Sequence, residues 1–238
     1  MTVRPAPTVL RPAVAALAAL AALALRTRGS VAPRHRHWEQ RARTGDLLWV
    51  ALGDSLTQGT GSSSPGTSWL GRSVDAAASR TGRTVRVVNL AGYGARVADV
   101  LAVQLPAARD LAVGLAEADV VSVCVGSNDA GRRSAAAFRS DLEQLCDALP
   151  DGAIVGDVPE FQWGPRVAAA AQLSAAVRAV VAARPHLVLA PVERATTGTR
   201  IFTELAGDFF HPNDSGHARI AGAFTPPVLD RLARDPIS

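Results

Sequence analysis

Three features of the sequence predict a doubly wound α/β fold. Short, Val-rich runs that are apolar on both faces recur along the chain, helix-length stretches separate them, and a polar cluster follows each run. Strands apolar on both faces belong to parallel sheets covered on both sides. Regular alternation of strand and helix then makes the sheet doubly wound.

Residues 1–43 precede this pattern. Ala13–Leu25 is an uninterrupted apolar run flanked by Arg4 and Arg11 on one side and Arg26 and Arg28 on the other. As a helix it spans roughly 20 Å, short of the ~30 Å bilayer core. Three readings stand side by side: a membrane anchor, a signal segment cleaved near Ser30-Val31-Ala32, and an Ala-rich helix with no membrane role. Arg34–Arg43 is expected to be a polar linker. The expected organisation is thus a basic extension over 1–43 and a folded domain over 44–238. The anchor reading implies a membrane-associated protein with residues 13–25 as the membrane contact, the signal reading an exported one, and the third reading neither.

From Asp46 the elements come in order. Strands are expected at Leu47–Leu52, Val85–Leu90, Val120–Val125, Ala153–Val158 and Leu187–Val192. Helices are expected at Ser68–Arg80, Val97–Leu115, Ser134–Leu149 and Pro165–Arg184, with a last one from about Asn213 to Ala233. No internal repeat is visible.

Charge excludes one class of partner. All 25 basic residues are arginine, and the chain carries a formal charge of +4. Residues 1–43 hold eight arginines and one acid, which leaves 17 arginines and 20 acids for the domain. The domain has no basic excess to attract a phosphate backbone, so nucleic acid is not an expected partner. The two cysteines, Cys124 and Cys146, fit buried free thiols better than a disulfide framework or a metal site.

Ligands of such sheets bind at the carboxyl ends of the strands. The first strand stops at Gly53-Asp54-Ser55, which leaves one hydroxyl at the mouth of the sheet. A serine is a poor nucleophile until a base takes its proton. The last polar cluster, Asp208-Phe209-Phe210-His211-Pro212, offers His211 as that base and Asp208 as the group that orients it. Acyl transfer also needs donors where the carbonyl oxygen becomes negative. The backbone N–H of Ser55, the backbone N–H of Gly94 and the amide of Asn128 are the candidates, with Gly92 as an alternative to Gly94. Read alone, Asp54-Ser55 could equally cap a helix, and Asp129 suits a structural turn. His217 and the remaining histidines read as caps or surface residues.

These blocks resemble the GDSL, or SGNH, hydrolase family. Gly53-Asp54-Ser55-Leu56 matches its first block, Gly94 the glycine of the second, Asn128 in Gly126-Ser127-Asn128-Asp129 the asparagine of the third, and Asp208 with His211 the last. The match runs from about Leu47 to Ala223. The resemblance implies a flavodoxin-like, five-stranded sheet of order 2-1-3-4-5. It implies hydrolysis of carboxylic esters through an acyl-enzyme, without metal or cofactor.

Substrate is less defined. Short gaps between the blocks leave little chain for a lid. Tyr93, Phe161, Trp163, Phe209 and Phe210 fall in loops near the site, and Arg132 and Arg133 could meet an anionic head group. A monomer acting on a small-to-medium acyl ester or a lysophospholipid is expected. Acyltransferase, thioesterase and carbohydrate O-acetylesterase activities use the same apparatus. A non-catalytic binding module has no physical need for all five site residues.

Overall fold

The structure, a computed structural model, describes residues 29, 31–112 and 114–234. The apolar run 13–25, with the anchor and signal readings attached to it, lies outside the described residues. Among those described, no helix is long and apolar enough to cross a membrane.

Five parallel strands form one sheet in the order β2-β1-β3-β4-β5. They are β1 (Leu47–Gly53), β2 (Val85–Asn89), β3 (Val120–Cys124), β4 (Ile154–Gly156) and β5 (Val188–Ala190). Strand β1 lies in the middle, with Trp49 opposite Val87 of β2 and Val120 of β3. Every residue of β1 is buried. Because alternate side chains leave opposite faces of a strand, Leu48, Val50 and Leu52 enter one core layer and Leu47, Trp49 and Ala51 the other. The first layer is completed by helices Ala135–Asp147 and Val167–Ala182. The second is completed by Trp69–Thr81 and Asp214–Arg234, where Trp69 stacks on Phe224 at 4.1 Å.

Three expectations are corrected. The fifth strand stops at Ala190 because Pro191 has no N–H for the ladder, and Val192 already opens a short helix to Thr196. The helix expected over Val97–Leu115 ends at Arg109 and contains a π-helical turn, Val100–Gln104. The polar linker is instead a helix, Val31–Arg41. Arg34 and Trp38 are four residues apart and share one face of it, and both are buried. Trp38 joins the second core layer and donates from Nε1 to the Gln58 carbonyl at 3.2 Å. Arg34 donates to the Ser62 hydroxyl at 3.0 Å and to the Ser62 carbonyl. Polar composition hid this face, because its other residues point to solvent.

Candidate active site

The turn after β1 is shaped by Gly53. Its φ is 141°, and a Cβ there would lie 2.1 Å from the Cys124 carbonyl oxygen, so no side chain fits. Asp54 then caps the one-turn helix Ser55–Gln58, accepting from the Leu56 N–H at 2.9 Å. The capping reading and the nucleophile reading of Asp54-Ser55 therefore coexist: the cap belongs to Asp54 and leaves Ser55 facing a cavity.

Across this cavity, His211 lies on a tight loop closed by the bridge between Leu205 and Pro212 and by the Ala206 N–H donating to the His211 carbonyl at 2.7 Å. Within the loop Phe209 holds φ at 53°, unusual for a bulky residue and found where surrounding contacts enforce it. That turn lets one carboxylate serve two purposes. Asp208 Oδ1 accepts from the backbone N–H of Phe210 and His211, and Oδ2 lies 2.6 Å from His211 Nδ1. His211 Nε2 lies 2.9 Å from Ser55 Oγ. Burial works against the charge on Asp208. The hydrogen bonds from the His211 ring and from the two N–H groups outweigh it and hold the carboxyl below its usual range. An ionised Asp208 accepts a hydrogen bond from Nδ1–H and so keeps the ring proton on Nδ1, which leaves Nε2 free to accept the serine proton.

The expected donors are also brought here. Ser55, Gly94 and Asn128 all line the cavity. The Gly92 N–H is already given to the Gly53 carbonyl at 3.1 Å, whereas Gly94, at φ 78°, sits on the cavity wall. Asn128 Nδ2 donates to the Ala95 carbonyl at 3.0 Å and more weakly to Asp54 Oδ2 at 3.4 Å. Its neighbour Asp129 accepts from the Val97 N–H, which ties this loop to the helix beyond Gly94.

Two supporting groups escaped the sequence reading. Gln104, in the π-helical turn, clamps the Gly53 peptide from both sides: Oε1 accepts from its N–H and Nε2 donates to its carbonyl, each at 2.8 Å. Its signal was a single polar residue in the apolar stripe Val97, Val100, Gln104, Ala108. The second is His217, which is fully buried rather than a cap or surface residue. Its Nδ1 accepts from the Trp69 N–H at 3.3 Å and its Nε2 donates to the Thr60 carbonyl at 3.0 Å, an arrangement open only to the neutral ring. The neighbouring Gly61 packs directly on the His211–Pro212 backbone.

Burial pushes the His217 pKa down to about 4. The unfolded chain takes up the proton near pH 6.5, whereas the folded one resists until about pH 4. This contribution to stability is therefore complete above 6.5 and drains away as pH falls towards 4. Asp54 opposes it. Burial raises its pKa to about 7, so its contribution is present at low pH and is lost as pH rises through that value. The wild-type profile conceals both effects, and a variant separates them. Relative to wild type, His217→Gln should gain about 2 kcal/mol on moving from pH 8 to pH 5. Denaturant unfolding of both proteins at the two pH values measures this; a pH-independent difference would mean that His217 is not held neutral.

The cavity encloses about 630 Å³. Phe210 meets the His211 ring edge-on at 5.0 Å and Phe161 meets Phe210 at 5.6 Å; the Tyr93 ring lies 5.7 Å from the His211 ring. Trp163 and Phe209 also line the cavity. Arg133, expected as a candidate for anions, is engaged by Asp141. Among the described residues no group of three or more His, Cys, Asp or Glu could hold a metal ion.

A family model described as the GDSL-like Lipase/Acylhydrolase family matches residues 51–219. Among solved structures, the lipase/acylhydrolase from Enterococcus faecalis aligns with a TM-score of 0.63 at 22% identity, covering 81% of this chain and 99% of that one. LAE5, an alpha/beta hydrolase enzyme from the metagenome of Lake Arreo, Spain, gives 0.62 at 22% identity over 81% and 99%. Axe2, an acetylxylan esterase from Geobacillus stearothermophilus, gives 0.58 at 20% identity over 79% and 96%. At these identities the likeness is one of fold. No curated protein matches the chain.

Proposed function

The chain belongs to the GDSL-like lipase/acylhydrolase family and cleaves ester bonds, and we propose that it does so through an acyl-enzyme formed on Ser55. The observation that carries this reading is the unbroken line from Ser55 Oγ to His211 Nε2 at 2.9 Å and from His211 Nδ1 to Asp208 at 2.6 Å. His211 takes the hydroxyl proton as Ser55 Oγ attacks the acyl carbonyl, and Asp208 stabilises the imidazolium that results. His211 then returns the proton to the departing alcohol. A water molecule, activated by the same base, releases the acid and restores Ser55. Labelling with a fluorophosphonate serine probe, followed by mapping of the modified peptide, tests the assignment; a label on any serine other than Ser55 would overturn it.

The negative carbonyl oxygen is met by the N–H groups of Ser55 and Gly94 and by Asn128. In the resting site the second Asn128 N–H reaches only the distant Asp54 oxygen, at 3.4 Å, and is the one to be given to the oxyanion. The charge is fully developed only near the tetrahedral intermediate, so this bond should affect kcat more than KM. Asn128→Ala should lower kcat by about 10²–10³, the cost of one such donor, with KM little changed. Asn128→Asp should be worse, because a carboxylate would face the Ala95 carbonyl, Asp54 and the oxyanion together. Steady-state kinetics and a melting temperature on the same preparation check this. A lower melting temperature with wild-type kcat would assign Asn128 a role in shaping the loop only.

A small-to-medium acyl ester is the proposed substrate. The volume of the cavity and its aromatic lining support it. The catalytic unit is proposed to begin at the helix Val31–Arg41 rather than at residue 44, since Arg34 and Trp38 support the turn that follows Ser55.

A further inference from the structure

We infer that Arg132 and Arg166 form an anion-recognising edge of the cavity, so that the preferred ester carries a fixed negative charge on its acyl or alcohol part; this rests on the acyl-enzyme reading above. Both arginines line the cavity that holds Ser55. The stem of Arg166 lies over Gly131, its Cγ 3.3 Å from where a Cβ would stand, which brings it beside Arg132 in the chain. The two acids of the same cavity are already committed. Asp208 is held by His211, and Glu160 accepts from Gln162 Nε2 at 2.9 Å and from the Gly198 N–H at 2.8 Å.

Other arginines of the domain are paired. Arg133 pairs with Asp141 and Arg139 with Glu143, while Arg178 is shared by Asp157 and Glu193. Among the described residues neither Arg132 nor Arg166 has an ion pair or side-chain hydrogen bond. Two arginines thus line the cavity with no carboxylate bonded to either of them. Arg132 is exposed and Arg166 half-buried, so the free cavity can hydrate them. A carboxylate, sulfonate or phosphate that entered with the ester would replace that water with charge-assisted, bidentate hydrogen bonds.

The test uses matched esters. On the acyl side, 4-nitrophenyl hemisuccinate is compared with 4-nitrophenyl butyrate; on the alcohol side, 4-sulfophenyl butyrate is compared with phenyl butyrate. The wild type should favour the charged member of at least one pair, and the preference should shrink as salt is added. Arg132→Gln and Arg166→Gln should each reduce the charged-to-neutral ratio of kcat/KM by about tenfold, mainly through KM. Binding of 4-nitrophenyl hemisuccinate and 4-sulfophenyl butyrate to Ser55→Ala, measured by calorimetry, should weaken similarly when either arginine is replaced. An unchanged ratio in both variants, or no preference for charge in either pair, overturns the inference while leaving the acyl-enzyme reading intact. Absence of a label on Ser55 with arginine-dependent binding preserved would overturn the acyl-enzyme reading instead.

Discussion

Ser55→Ala should reduce ester turnover by about 10⁶, the loss seen when the nucleophile of such a triad is removed. The hydroxyl is the only atom exchanged, and it is the atom that forms the acyl bond. The oxyanion donors and the cavity remain, so residual catalysis above water should persist at about 10³–10⁴. The variant should fold, because the turn is held by the Asp54 cap and the Gln104 clamp rather than by the Ser55 side chain. Losing one hydrogen bond to His211 should cost about 1 kcal/mol. Turnover, serine-probe labelling and the unfolding midpoint, measured on one preparation, decide the matter. Turnover within tenfold of wild type, or labelling that persists, would remove Ser55 from the chemistry.

Asp208→Asn should lower kcat by about 10⁴ while the loop keeps its shape. The amide oxygen can still accept from the Phe210 and His211 N–H groups, as Oδ1 does now. The amide nitrogen would stand where Oδ2 stands, 2.6 Å from His211 Nδ1, and can only donate there. The ring would then carry its proton on Nε2, directed at Ser55, and could not act as base. Asp208→Ala should differ in kind, because it also removes the acceptor of two backbone donors and should lower the melting temperature. An Asp208→Asn enzyme with normal stability and turnover within tenfold of wild type would show that Asp208 orients nothing. The pair of variants therefore separates the effect on proton position from the effect on loop folding.

Some of these properties were determined by the sequence alone. The strand runs and their polar ends were legible because both signals are local: apolar continuity marks a strand covered on two faces, and Gly-Asp-Ser or Asp-Phe-Phe-His marks where it stops. Parallel strands deliver those ends to one edge of the sheet, so Ser55, Asn128, Asp208 and His211 could be gathered without coordinates. The tertiary structure decided what depends on partners distant in sequence. Gly92 stands as an alternative to Gly94 in the sequence, whereas in the structure its N–H is bonded to the Gly53 carbonyl. Arg132 and Arg133 read alike until Asp141 engaged one of them. His217 resembled a surface histidine until Trp69 and Thr60 enclosed both ring nitrogens, and Arg34–Arg43 resembled a linker until Trp38 entered the core. In each case the residue's role is set by which hydrogen-bond or packing partner the fold brings across 8 to 157 positions of chain, and no local pattern carries that information.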